Sequence, residues 1–466
     1  MSTISCSVTN QSISKQPNFI ILLADDLGYS DLNCYGGKVI TPNIDKLAGN
    51  GIKFTDFYAL APNCSPSRVG LLTGRFPTRT GMYSYRPEWG KHPMHLKMEE
   101  ITIPEILKQH GYQTAHFGKW HLGCLPQDSL LQQPQPDQQG FDFSFGTQNN
   151  SKPSHLNPVN FVRNGEEVGK LNGYSCQLVA DEVEFWLKNR YNKKNPFFLY
   201  VAFNEVHKKI ASPPEMTDHY VNYKEQDAEY YANIENLDNA VGRIMQTINE
   251  LELDDNTFVL FSSDNGPYRH GSSGEFRGLK GEVYEGGIRV PGVLYWPQKV
   301  SSQETIETPV SLIDIFPTIF EICRIPLPSD RTIDGCSILP LIEGKRFERS
   351  TPLIWFFYRS SPEVAMRIDK YIIVGKANDT IPRTHYISEP DLDFIKNIRI
   401  KEYKLYNIKT DIYQSKDISK RKPEIFNSMK SELQQMLGNI IEDGVYWDNL
   451  PQCNPEKAQL KEKYRR

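Results

Sequence analysis

The chain has 466 residues, with 53 Lys and Arg against 57 Asp and Glu, a net charge of −4. That near-balance excludes a nucleic-acid footprint and a polybasic membrane surface, and no apolar run approaches the roughly 18 residues a bilayer span needs. The length admits one large or two ordinary domains around a substantial core. The eight cysteines form no CxxC pair and no zinc-like spacing, and Cys323 with Cys336 offers one pairing for a disulfide.

In chain order, residues 1–17 form a polar extension without the charged and apolar regions of a signal peptide. "NFIILLADD" reads as a buried strand ending in Asp25 and Asp26. "TPNIDKLAGNG" predicts a helix capped by Thr41, with Pro42 at its first position and glycines to stop it. In "APNCSPSRVGLLTGR" Ser65 predicts an N-cap, Pro66 the first helical position and Gly74 the stop. Cys64 then stands at a helix N-terminus, where the macrodipole favours anionic groups, and Arg68 follows about one turn later. Free cysteine is more often a small buried hydrophobe, but this setting is polar.

"TIPEILKQHG" predicts a short helix closed by Gly111, and "YQTAHFGKWHLG" leads to Lys119 and His121. "CLPQDSLLQQPQPDQQG" reads as a surface loop. "QLVADEVEFWLKNRY" and "EYYANIENLDNAVGRIMQTINELEL" carry helical spacing, whereas "NPFFLYVAF" and "NTFVLFSSDNG" read as buried strands. "SLIDIFPTIFEIC" predicts a further helix. The fold class is therefore α/β: a large, mostly parallel mixed sheet flanked by helices, over residues 18–345. From 346 to 466 the texture predicts a smaller C-terminal domain, with antiparallel strands at "STPLIWFFYRS", "VAMRIDKYIIVG" and "EYKLYNIKTD" and a helix from Pro423 to Gly438.

Four apolar runs end in groups of catalytic type: Asp25 and Asp26; Asp264 and Asn265; His207; Lys119 and His121. Open α/β sheets bind ligands beyond the carboxyl ends of their strands, so parallel strands would bring all four to one edge. Asp25, Asp26, Asp264 and Asn265 make a hard-oxygen cage that suits calcium or magnesium better than zinc. Adjacent Asp residues also cap turns, but two matching strand ends favour the cage. Arg68, Lys119, His121, His207 and Lys280 would surround an anionic group, the arrangement that stabilises sulfuryl or phosphoryl charge in a transition state.

These motifs resemble those of the type I, formylglycine-dependent sulfatases of the alkaline phosphatase superfamily. "CSPSR" looks like their CxPxR signature, and "DDLG", "GKWHLG", "SDNG" and "GLKGEVYEGG" stand in the expected order, over about residues 18–298. The resemblance implies a sulfuric ester hydrolase acting on a sulfate monoester of a sulfated small molecule or glycan. Cys64 would be oxidised to formylglycine by a formylglycine-generating enzyme. One hydroxyl of the hydrated aldehyde attacks sulfur, and loss of the other's proton later expels sulfate. It further implies one calcium ion on Asp25, Asp26, Asp264 and Asn265 that also meets modified Cys64. Arg68 would hold the diol, Lys119 and Lys280 the sulfate, and His121 the diol's second proton. His207, aided by Lys280, would assist the leaving group. His207 lies in "EVHKKIASPP" rather than the proline-flanked form frequent in the family, and Asn149, Asn150 and Ser151 are candidates for a further sulfate contact. A periplasmic, extracellular or lysosomal setting follows from the same likeness. The alternatives are a phosphonate monoester hydrolase or phosphodiesterase of the superfamily, and a non-catalytic glycan-binding relative.

Overall fold

A computed structural model describes residues 16–87, 93–128, 133–300, 303–358, 362–377, 387 and 389–447. All but the last two residues of the expected 1–17 extension lie outside the described residues, as do 129–132 of the Gln/Pro-rich segment and 448–466 of the expected C-terminal domain.

The first strands are β1 (Asn18–Ala24), β2 (Ile52–Phe54), β3 (Phe57–Tyr58), β4 (Gln113–Lys119), β5 (Phe143–Thr147), β6 (Phe161–Arg163) and β7 (Glu166–Gly169). Then come β8 (Phe197–Ala202), β9 (Thr257–Ser263), β10 (Gly292–Tyr295), β11 (Glu304–Ile306) and β12 (Val310–Ser311). The last four are β13 (Leu353–Phe357), β14 (Glu363–Ile368), β15 (Tyr371–Ala377) and β16 (Ile400–Asn407). Ten of them form one sheet in the order β11-β2-β10-β9-β1-β8-β4-β5-β6-β7. Its centre, β9-β1-β8-β4-β5, is parallel, while β10, β6 and β7 pair antiparallel with their neighbours.

β1 explains the sheet's position. Every residue in it is buried, and alternate side chains enter different cores. Phe19, Ile21 and Leu23 meet the helices Cys64–Thr73 and Ile315–Cys323. Ile20, Leu22 and Ala24 meet Pro42–Gly49, Ser175–Asn189 and Glu225–Glu250. A strand covered on both faces has no polar face to alternate with, hence the unbroken apolar run in its sequence.

β13 to β16 form a separate antiparallel sheet in sequence order. One face packs on Tyr58, Val283 and Ile288, and Trp355 Nε1 donates to Ala59 O at 2.7 Å. The last helix runs to Asp443 rather than stopping at Gly438, because Leu437, Ile440 and Ile441 are buried and hold its final turn.

Two further expectations are corrected. The described part of the Gln/Pro-rich segment is only partly a surface loop: Gln127, Asp137 and Gln138 are exposed, but Cys124, Leu125, Gln133, Gln135 and Gln139 are buried, with Gln135 Nε2 donating to Cys124 O at 2.6 Å. Amide side chains go inside when they satisfy carbonyls that would otherwise be orphaned. Cys323 and Cys336 are unbridged; Cys323 Sγ lies 3.2 Å from Tyr112 Oη and Cys336 Sγ 3.2 Å from Ser350 Oγ.

Candidate active site

The parallel centre of the sheet brings the four polar strand ends together. Ala24 pairs with Ser263, so Asp25 and Asp26 emerge beside Asp264 and Asn265. β8 flanks β1 on the other side and leads to His207, and β4 beyond it ends in Lys119, two residues before His121. Adjacent strands lie under 5 Å apart, so consecutive ends share one small volume. Asp26 turns back at φ 67°, a left-handed conformation that Asp tolerates better than most residues.

Cations interleave with the carboxylates. Lys119 Nζ donates to Asp25 Oδ2 at 2.7 Å, and Lys280 Nζ donates to Asp26 Oδ1. Arg68 Nε donates to Asp264 Oδ2 at 2.8 Å, with its NH2 2.7 Å from the same oxygen and its NH1 on Lys119 O at 3.1 Å. Burial alone would raise the Asp25 and Asp26 carboxyls; Lys119 and His207 outweigh it at Asp25, and Lys280 and His207 at Asp26, so both sit below the ordinary carboxylate range. Burial works against the Arg68 and Lys280 charges too, but Asp264 and Asp26 respectively raise both above their ordinary values.

The donor set fits a hard cation. Asp25, Cys64 and Asp264 each offer a ligand atom within 4.8 Å of the others, and so do Asp25, Asp26 and His207. Asp25 Oδ1 and Asn265 Oδ1 are buried without a hydrogen-bond partner. Orphaned buried oxygens are costly unless something outside the protein satisfies them. These acidic groups can hold a metal ion.

The helix that carries Cys64 starts two residues earlier than its sequence suggests. Asn63 occupies the N-cap position and Cys64 is the first helical residue, with Gly74 closing the helix at φ 68°. Pro66 fits the third position equally well, because amides of the first turn have no helical acceptor. Ser65 does not cap; its Oγ accepts from Arg86 N at 3.0 Å. Thr41 also makes no side-chain cap bond, its hydroxyl being engaged with Asp45. Cys64 is buried, 4.0 Å from Lys280 Nζ. Burial pushes its thiol up, beyond what Lys119 and Lys280 take back. An unmodified Cys64 is thus a protonated thiol, the opposite of a reactive cysteine.

His121 sits at φ 56° and donates from Nε2 to Arg86 O at 2.8 Å, leaving Nδ1 buried and unpartnered. Burial, with Lys119 and Arg68 nearby, holds its pKa well below the ordinary value, so the ring is neutral. His207 Nδ1 donates to Lys208 O at 2.8 Å, and Nε2 stands 3.7 Å from Asp26 Oδ2. His207 and Lys280 retain 15% and 17% side-chain exposure, whereas Asp25, Arg68 and Lys119 retain none, which puts the opening at His207 and Lys280.

Asn149, Asn150 and Ser151 follow β5. Asn204 Nδ2 ties Asn149 O to the end of β8 at 2.7 Å, but among the described residues no hydrogen bond joins these three side chains to the carboxylates. Sequence reasoning overlooked Arg86, which links Ser65 to His121 through its backbone, because no motif marks a residue used for its amide and carbonyl. It also overlooked Tyr200, whose buried hydroxyl beside Arg68 is hidden in an apolar strand run. The neighbouring His116 is structural: burial drives its pKa down to about 3 among Trp120, Phe141 and Tyr200.

Comparison with known proteins agrees with this geometry. The pattern of the Sulfatase family matches residues 17–325, and that of N-sulphoglucosamine sulphohydrolase, C-terminal, matches 274–441. Human arylsulfatase A is 34% identical over 397 residues, covering 77% of this chain and 75% of its own. Canine (Canis lupus familiaris) N-acetylgalactosamine-6-sulfatase is 33% identical over 390 residues, covering 76% and 71%. The crystal structure of Ps i-CgsB in complex with k-i-k-neocarrahexaose superposes with a TM-score of 0.81 at 27% identity, over 97% of this chain and 98% of that one. The chain belongs to the sulfatase family, the type I sulfatases of the alkaline phosphatase superfamily, and is a sulfatase.

Proposed function

We propose that the protein hydrolyses a sulfate monoester on a glycan, with Cys64 as the precursor of formylglycine and calcium as the metal. The observation that carries the reading is the position of Cys64. It opens a buried helix within 4.8 Å of Asp25 and Asp264 ligand atoms, where its own thiol is held protonated. Acting on a glycan is supported by the relatives, one an N-acetylgalactosamine-6-sulfatase and one a structure holding a neocarrahexaose.

Asp25, Asp26, Asp264 and Asn265 would hold calcium, whose hard charge supplies electrophilic stabilisation to the sulfate. Modified and hydrated, residue 64 would supply the hydroxyl nucleophile that the thiol cannot. Lys119 and Lys280 each spend one ammonium hydrogen on a carboxylate, and Lys280 turns another toward residue 64, leaving hydrogens of both for sulfate oxygens. Arg68 orients Asp264 and the main chain of Lys119 one turn below residue 64. His121, neutral with a free Nδ1 lone pair, is assigned the second proton of the diol. His207, at the opening with Lys280, is assigned the proton of the leaving oxygen.

A formylglycine-generating enzyme is the proposed maturation partner. An extracytoplasmic setting (periplasmic, extracellular or lysosomal) is proposed by family likeness, and no described helix is long and apolar enough to cross a membrane. Peptide mass spectrometry over residues 61–75, on protein co-expressed with that enzyme, tests the reading. Aldehyde at Cys64 with faster turnover of an aryl sulfate than of the matched phosphonate upholds it. An intact thiol, beside a control sulfatase converted in the same cells, refutes it.

A further inference from the structure

A cavity of about 510 Å³ opens beside Asp26. Lys208, Tyr268 and Arg269 line it from the loops after β8 and β9, the same loops that carry His207 and the Asp264–Asn265 pair. Glu225 and Glu229 line it from the Glu225–Glu250 helix. Lys208 Nζ lies 5.5 Å from the centre of the Tyr268 ring, and the Arg269 guanidinium carbon 5.1 Å from it. Two cations thus share one exposed aromatic ring.

The pairing of charges decides what this cavity recognises. Asp26 is neutralised by Lys280, His270 Nδ1 lies 3.1 Å from Asp227, and Glu229 accepts from Ser212 N at 2.8 Å. Glu225 stands in the first turn of its helix, where the macrodipole favours it. Among the described residues Lys208 and Arg269 have no carboxylate partner and no side-chain hydrogen bond. An exposed lysine or arginine is ordinarily just hydrated. Here two stand together at the opening of the carboxylate cluster, and an anion between them would relieve their repulsion. Arg269 also adopts φ 51°, a left-handed conformation uncommon for arginine and more frequent at functional loops.

Resting on the reading of the protein as a glycan sulfatase, we infer that this cavity takes the sugar next to the scissile ester and selects one with a second anionic substituent. Lys208 and Arg269 bind that substituent, a further sulfate or a uronate carboxylate, and Tyr268 supports the apolar face of the ring. Arginine's planar fork matches either oxyanion in two-point contact.

The test compares kcat/KM of the mature enzyme on three probes: an aryl sulfate, N-acetylgalactosamine 6-sulfate, and oligosaccharides carrying further anions (chondroitin sulfate disaccharides and sulfated carrageenan hexasaccharides). The inference requires an anionic oligosaccharide to exceed the monosaccharide at least tenfold. It also requires K208A/R269A to remove that advantage through KM, read as a ratio to aryl sulfate turnover in the same preparation. A ratio unchanged by the double substitution, or no preference for the anionic oligosaccharide, overturns the inference and leaves the glycan reading standing. Aryl sulfate turnover without turnover of any sulfated sugar overturns both.

Discussion

At the scale of single residues, the site is a set of charges that satisfy each other and leave two oxygens over. Asp25, Asp26 and Asp264 are each paired with a cation, yet Asp25 Oδ1 and Asn265 Oδ1 remain without a partner. Asn265→Ala removes one of these oxygens together with the Nδ2 donation to Asp26 Oδ1 at 2.8 Å, but Asp26 keeps Lys280, so the calcium-dependent part of the stability isolates the metal. With calcium at a hundred times its dissociation constant, binding adds about 2.7 kcal/mol to stability. A tenfold weaker variant forfeits about 1.4 kcal/mol of that. Melting curves with and without chelator should therefore show a smaller calcium-dependent shift in Asn265→Ala than in the wild type; equal shifts would remove Asn265 from the cage. Cys64→Ala should lower kcat/KM for an aryl sulfate by about a thousandfold or more, as loss of a covalent nucleophile does, while calcium still raises the melting temperature. Residual turnover near the wild-type level would exclude Cys64 as the nucleophile's precursor. The residues carrying these predictions were legible in the sequence because acidic pairs at strand ends and a CxPxR stretch are local. Arg86 and Tyr200 were not, because their roles are contacts between segments 21 to more than 100 residues apart.

At the scale of elements, capping separates what looks alike in sequence. Thr102 forms a complete capping box: Glu105 N donates to its hydroxyl at 3.4 Å and Thr102 N donates to Glu105 Oε2 at 2.8 Å. Thr41 and Ser65 offer the same kind of side chain and do not cap: Asp45 engages the Thr41 hydroxyl at its N-cap position, and Ser65 lies inside the helix, where its hydroxyl accepts from Arg86 N. Thr102→Ala should thus cost about 1 kcal/mol in urea unfolding, and Thr102→Ser much less. Equal losses for the two would point to packing of the Thr102 methyl rather than capping. Gly118 shows a different constraint. It adopts φ 88°, and a Cβ there would lie 1.9 Å from Ala202 O of the paired strand. The strand end that delivers Lys119 has room only for glycine.

At the scale of the whole molecule, the main body and the C-terminal sheet are joined by a buried ionic knot. Asp56, between β2 and β3, receives Arg289 on one oxygen and Arg367 of β14 on the other at 2.5 Å, and Lys409 approaches to 3.8 Å. Burial opposes the Asp56 charge, but Arg289 and Arg367 prevail and hold its carboxyl below the ordinary 3.8. A carboxyl lowered on folding contributes stability above its unfolded pKa, and that contribution fades as pH falls through the folded value. Asp56→Asn leaves buried Arg367 without a carboxylate partner, while Arg289 keeps Glu285 at 3.0 Å, so at pH 7 it should destabilise by about 3 kcal/mol. As pH falls below 3.8 and then through the lower value of the folded carboxyl, wild-type Asp56 becomes protonated and comes to resemble asparagine, so the difference in urea midpoints should narrow across that range. A pH-independent difference would assign the loss to shape instead of charge.

The sequence by itself determined the class of fold, the parallel centre of the sheet and nearly every charged group at the site. Strands buried on both faces must be continuously apolar, and catalytic groups at their ends break that run abruptly, as in "FIILLADD" and "FVLFSSDNG". Tertiary structure alone decided the order β9-β1-β8-β4, which of the two histidines near Lys119 is structural, and where the helix of Cys64 begins. It also decided that most of the described glutamines of the Gln/Pro-rich segment go inside, that Cys323 and Cys336 stay apart, and that Lys208 and Arg269 meet over Tyr268. The physical reason is the same in each case: local patterning states what a residue needs, and only the packed chain determines which distant partner supplies it.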